Sequence, residues 1–107
     1  MRGDIVTVAM PGDFGKPRPA LIIQADQFNS HSSITVLLVT STNVQAPLLR
    51  VSVQPSIDNG LRKPSQVMID KIMTVKRERL GPAIGQLDPD TMIEIERRVA
   101  MFLGITK

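Results

Sequence analysis

The chain has no cysteine, no tryptophan and no tyrosine, and its one histidine is His31. Each absence removes a class of chemistry. Without cysteine there is no disulfide framework, no thiolate zinc site and no cysteine nucleophile, which suits a reducing cytosol. One histidine cannot form a His–His metal pair or a histidine dyad within a single chain. It lies between Ser30 and Ser32 in turn-rich sequence, where a solvated loop residue is the ordinary reading. Three phenylalanines are the whole aromatic content, so there is little to stack bases on. No apolar run reaches membrane-spanning length, and Asp4 interrupts what would have to be the apolar part of a signal peptide. The expectation is a soluble cytoplasmic protein with no membrane partner. Its 107 residues are enough for one domain, 1–107, with one core of ordinary size.

The formal net charge is +3, and its placement says more than its total. Between positions 51 and 79, Arg62, Lys63, Lys71, Lys76, Arg77 and Arg79 outnumber Asp58, Asp70 and Glu78, whereas the segment from 80 onward is net acidic. A basic middle segment suits a polyanion, although solvated loop charges look the same in sequence. With so few rings, cations, hydroxyls and backbone amides would have to do most of the holding of a nucleic acid.

Alternation predicts a strand over Asp4–Met10, with Val6, Val8 and Met10 on one face and Thr7 on the other. A loop, PGDFGKPRP, follows, then a strand at Ala20–Gln24 apolar enough to be buried on both faces. Residues 26–33 are turn material. Further strands are expected at Ile34–Thr40 and Leu48–Val53, with a polar loop at 55–64 containing Asn59-Gly60. Gln66–Ile69 and Ile72–Val75 read as two short strands or one bent at Asp70-Lys71. Only the end is helical in pattern. Asp88 can cap, Pro89 suits the first helical position, and Met92, Ile95, Val99 and Phe102 form one stripe before Gly104. Short, closely spaced strands followed by an amphipathic helix predict a small antiparallel barrel with the helix packed on it.

Two features carry chemistry. In GKPRPALIIQ, 15–24, Pro17 and Pro19 restrict the backbone around Lys16 and Arg18, so both cations lose less freedom on meeting an anion. At Thr40-Ser41-Thr42 an apolar strand ends in hydroxyls that can donate to a phosphate oxygen, although Ser and Thr there are commonly turn residues. The triplet Asp13-Phe14-Gly15 is also found in kinases, but a chain this short cannot hold a kinase. Asp88 and Asp90 are paired carboxylates at a helix start, where capping is their ordinary role.

Together these residues resemble the MazF/PemK (Kid) family of toxins from prokaryotic toxin–antitoxin modules. RGDIVTV resembles the family's first strand, GKPRPALIIQ its loop and second strand, VLLVTS its third strand, and SQVMIDKIMTVKRERLG, 65–81, its later strand and basic tail. The resemblance implies an SH3-like barrel with a C-terminal helix, a homodimer, an acidic cognate antitoxin, and cleavage of single-stranded RNA without metal or other cofactor. It carries the family's catalytic Arg and Thr onto Arg18 and Thr40. Lys16, Ser41, Lys71, Thr74 and Lys76 become candidates for holding flanking nucleotides. Some members use an Arg two residues before the acidic position and a His in the first loop. Here Met68 stands at the former and positions 11–19 hold no His. The chain thus falls with the branch relying on Arg and Thr, and no acid/base role is carried over to Asp70.

The nucleophile expected from these groups is the RNA's own 2′-hydroxyl, giving 2′,3′-cyclic phosphate and 5′-hydroxyl ends. A competing reading starts from MFLGI, 101–105, which resembles the end of CcdB, a toxin on the same barrel that poisons DNA gyrase through a terminal Trp-Gly-Ile. Leu103 stands at the Trp position and Thr106-Lys107 follow. A third reading is an RNA-binding module without catalysis.

Overall fold

Among the described residues, runs of alternating or continuous apolar residues form most of the strands, and the run with helical spacing forms a long helix. The structure, a computed structural model, describes residues 1–10 and 16–107. The Asp13-Phe14-Gly15 triplet and that part of the expected first loop lie outside the described residues. The strands are β1 (Asp4–Val8), β2 (Arg18–Ile22), β3 (Ser33–Thr40), β4 (Arg50–Val53), β5 (Ser65–Lys76) and β6 (Leu80–Gln86), followed by helix α1 (Pro89–Phe102). They make one antiparallel sheet in the order β4-β5-β3-β2-β1-β6.

Both faces of this sheet are apolar. Ile5, Leu21, Leu37, Val39, Val53, Val67 and Ile69 point to one side, where Met92 and Ile95 of α1 join them and Val99 packs at the margin. Val6, Val8, Ala20, Ile22, Ile34, Val36, Leu38 and Val75 fill the other, with Met10 packed beside them as the alternation predicts. No helical residue belongs to that second cluster. Side chains buried there must cover one another, which requires a sheet curled about that face.

The curl is made by β5. Its register against β3 runs from Ser33↔Lys76 to Leu37↔Ile72, then jumps to Val39↔Val67. The surplus residues on β5 include Asp70 and Lys71, so the bent-strand alternative is the observed one. A bulge both bends a strand and shifts its alternation, which here keeps Val67 and Ile69 on the same face as Ile72.

β6 was not expected. Gly81, Pro82 and Gly85 read as breakers, but β6 is an edge strand, and an edge tolerates a missing N–H and two register shifts against β1. The opposite edge, β4, reaches it through the turn that follows. Gln86 N donates to Asp58 O at 2.7 Å. The buried Asn59 holds this turn: Oδ1 accepts from the amides of Ser56 and Leu61, and Nδ2 donates to Gln54 O. Gly60, at φ +70°, and Gly85 permit the approach, since a Cβ on Gly85 would lie 2.2 Å from the carbonyl carbon of Asn59. The expected small barrel with a C-terminal helix is therefore present, its two edges joined by a turn rather than a strand ladder.

Helix α1 begins as expected. Asp88 accepts from the amide and hydroxyl of Thr91 at 3.0 and 2.7 Å, and these bonds hold its carboxyl below the usual carboxylate range. The end is a Schellman motif, with Ile105 N donating to Ala100 O and Gly104 N to Met101 O around a left-handed Gly104. The apolar stripe stops one turn early. Phe102 is half exposed and lies outside the core that Val99 still borders.

Two stability predictions follow from closure and cap. Gly85→Ala should cost ~1–3 kcal/mol by forcing the Asn59 turn away from β6, and an unchanged urea midpoint would show that the edges are not held there. Asp88→Ala should cost about 1 kcal/mol at neutral pH. Because the folded pKa is depressed, this contribution is present above the unfolded value near ~3.9 and is lost as pH falls through the folded value. Urea titrations of both proteins at pH 7 and pH 3 check it: the gap between wild type and variant should narrow at low pH.

Candidate active site

The two chemistry-bearing segments meet at one end of the sheet. β2 and β3 pair at Ala20↔Leu38, and two residues further along the two antiparallel chains are Arg18 and Thr40. Alternation puts both on the side of Ala20 and Leu38. On its other flank Arg18 pairs with Val8 of β1, in the extended conformation that the following Pro19 favours. Arg18 is exposed and Thr40 half-buried. Lys16, also exposed, lies two residues before Arg18, and Ser41 is exposed just after Thr40.

Thr40 is the last residue of β3, and its hydroxyl is oriented locally. Its Oγ1 accepts from the amide of Thr42 at 3.0 Å, which leaves the hydroxyl hydrogen for another acceptor. The loop that follows is tied down along its length. Gln66, the register partner of Thr40, accepts from Val44 N at 3.1 Å through Oε1 and donates to Val44 O at 2.9 Å through Nε2. Arg50 Nη1 donates to Gln66 Oε1 at 3.0 Å and to Thr42 O at 3.3 Å. Asn43 Nδ2 donates to Ser41 O and Pro64 O, each at 3.2 Å. From the helix, Arg98 donates to Pro47 O. A cleft of about 500 Å³ lies under this loop, lined by Val44, Pro47, Arg50, Gln66, Glu94 and Arg98 among others.

Gln66, Arg50 and Asn43 were not among the sequence candidates. Gln66 offered a usable signal, as an amide within a run of buried residues that needs hydrogen-bond partners. Arg50 read only as the polar half of an alternating strand.

The β5 candidates divide. Lys71 is exposed at the bend, 3.9 Å from the Asp70 carboxylate and next to Ile72, which pairs with Leu37 near the Thr40 end. Thr74 faces Thr35, the two hydroxyls 2.7 Å apart. Lys76 pairs with Ser33, at the far end of β3 from Thr40, a separation of roughly 23 Å at the usual rise per strand residue. Both alternate with Met73 and Val75 and so lie on the opposite face from Arg18 and Thr40. A single chain thus brings Lys16, Arg18, Thr40, Ser41 and Lys71 towards one end and leaves Thr74 and Lys76 apart. Arg77, part of the same basic segment, is committed to the carbonyls of Asn29 and His31.

Residues 1–103, which include all six strands, the whole helix and both ends of this site, match the model of the PemK-like, MazF-like toxins of type II toxin–antitoxin systems. The chain belongs to this family. It is 45% identical over 105 residues to a probable endoribonuclease MazF of Mycolicibacterium smegmatis, covering 97% of this chain and 96% of the relative. With the endoribonuclease EndoA of Bacillus subtilis it shares 24% identity over 109 residues, 97% and 94% of the two chains. Among solved structures, an endoribonuclease in complex with its cognate antitoxin from a mycobacterial species superposes with a TM-score of 0.84 at 28% identity, covering 100% of this chain and 97% of that one. The family match ends before Gly104-Ile105, the residues behind the likeness to a gyrase poison.

Proposed function

We propose that this chain is an endoribonuclease toxin that cleaves single-stranded RNA without a metal, acting as one domain in the cytoplasm. The observation that carries the reading is the placement of Arg18 and Thr40 at one end of adjacent strands, in a chain nearly half identical to a probable endoribonuclease. The relatives above are named as endoribonucleases, the 45% identical one as a probable one, which favours RNA cleavage over gyrase poisoning. Among the described residues no helix is long and apolar enough to cross a membrane.

In the proposed reaction the 2′-oxygen of the RNA attacks the adjacent phosphorus, the O2′–P bond forms and the P–O5′ bond breaks. The 2′-hydroxyl gives up its proton and the departing 5′-oxygen gains one, leaving 2′,3′-cyclic phosphate and 5′-hydroxyl ends. Arg18 opposes the charge that develops on the phosphoryl oxygens, and Thr40 donates to one of them. A guanidinium stays protonated at any working pH, so Arg18 acts as an electrostatic group rather than a proton donor. Lys16, Ser41 and Lys71 hold nucleotides beside the scissile bond. Thr74 and Lys76 of the same chain meet only nucleotides well removed from it.

The cognate antitoxin is a small acidic protein whose flexible segment competes with RNA for the basic surface. The toxin itself acts as a homodimer. Leu48, Met101, Phe102 and Leu103 expose apolar surface around the end of α1, which supports a protein partner at that face.

Arg18→Ala should lower single-turnover cleavage about a hundred- to a thousandfold while leaving thermal unfolding unchanged, and Arg18→Lys should restore little because a point charge cannot reproduce the planar fork. Thr40→Ala should do less damage. The assay is run on a long single-stranded RNA in EDTA, and an active, normally melting Arg18→Ala protein would reject the assignment. Sedimentation equilibrium at micromolar concentration should show a dimer; a species of 11.8 kDa alone rejects it.

A further inference from the structure

Thr40 stands where β3 leaves the sheet, so no strand ladder fixes the backbone beyond it. The direction of its hydroxyl depends on the Thr42 amide, and that amide belongs to an exposed polar loop. A loop of this composition left to itself samples many conformations, and only a fraction would present the hydroxyl correctly. The structure removes that freedom with two side chains from neighbouring strands. Gln66 is 7% exposed, and its planar amide grips both backbone groups of Val44. Arg50 bridges Gln66 Oε1 to Thr42 O through one nitrogen. The connection therefore runs from the buried sheet through Gln66 and Arg50 to Thr42, and from Thr42 to the Thr40 oxygen.

We infer that Gln66 and Arg50 are positioning residues that aim the Thr40 hydroxyl at the scissile phosphate by clamping the 42–44 backbone. The inference rests on the proposed role of Thr40 and adds residues to which that reading gives no part. Neither side chain needs to touch RNA. A bidentate amide–backbone grip fits this task because it fixes orientation as well as distance. Misplacing a reacting group by about 1 Å can cost ~100-fold in rate, so a loosened clamp should act on turnover more than on RNA affinity.

The test is a double-mutant cycle between Gln66→Met, which keeps length but removes the amide, and Thr40→Val. Single-turnover cleavage at saturating RNA should fall roughly tenfold or more in Gln66→Met, with RNA Kd changed by less than about twofold. In the Thr40→Val background the same change should have almost no further effect on the rate, whereas a purely structural role would slow cleavage equally in both backgrounds. Arg50→Met, which keeps an apolar stem but removes every donor, should reproduce the loss of rate and its dependence on Thr40. Equal slowing in both backgrounds, or full activity of both clamp variants, overturns the inference. Wild-type activity in Thr40→Val instead overturns the catalytic role of Thr40, and the clamp's purpose with it. Should neither clamp variant fold, hydrogen exchange of the wild-type protein decides: the Thr42 and Val44 amides should exchange slowly, and free exchange at both rules out the clamp.

Discussion

A single sheet that is apolar on both faces has to cover both, and one helix can cover only one. This constraint shapes the molecule. The helix lays Met92 and Ile95 on one face, so the other must be hidden by the sheet itself. Curling requires a bend in an interior strand, and the register jump in β5 provides it without turning apolar side chains to water. It also brings the sheet edges near each other. The small separation then selects glycine at 60 and 85, because carbonyls and Cβ atoms cannot share the space. Burying Asn59 is tolerable because its amide and its own N–H are all hydrogen-bonded.

The candidate site follows from the same arrangement. Curled strands end at a rim where side chains leave the core and the backbone loses its ladder. Arg18 and Thr40 continue the alternation of Ala20 and Leu38 by one step beyond the buried region, so the face that holds the core presents chemistry at its edge. Rigidity inside is what makes the rim precise. The price of that position is a loop with unpaired backbone groups, and Gln66, Arg50 and Asn43 satisfy several of them.

Much of this was legible in the sequence where local chemistry decides the outcome. The Asp88 cap, the Gly104 stop, the bend at Asp70-Lys71 and the extended Arg18-Pro19 entry each depend on residues within a few positions. The failures share a cause. β6 was hidden because Gly81, Pro82 and Gly85 act as breakers unless the strand is known to lie at an edge. Phe102 fits a helical stripe, but nothing local says that the core stops short of it. Gln66 and Arg50 hold a loop more than 15 positions away for one and immediately before the other, and no periodicity reports such a hydrogen bond. Thr74 and Lys76 stand beside Lys71 in sequence, yet alternation with Met73 and Val75 places them on the face opposite to Arg18 and Thr40.

In the proposed reaction the chemistry at the rim is spare because RNA brings its own nucleophile. A protein that need not activate water has to supply chiefly orientation and compensation for charge on a phosphoryl group. A guanidinium and an alcohol suit those tasks, one as a charge and the other as a neutral donor. Any pH dependence in the proposed reaction belongs to the groups that take the 2′-proton and supply the 5′-proton. The single histidine is a poor candidate within one chain: His31 packs edge-on against Phe28 in the turn before β3, at the end of that strand opposite to Thr40.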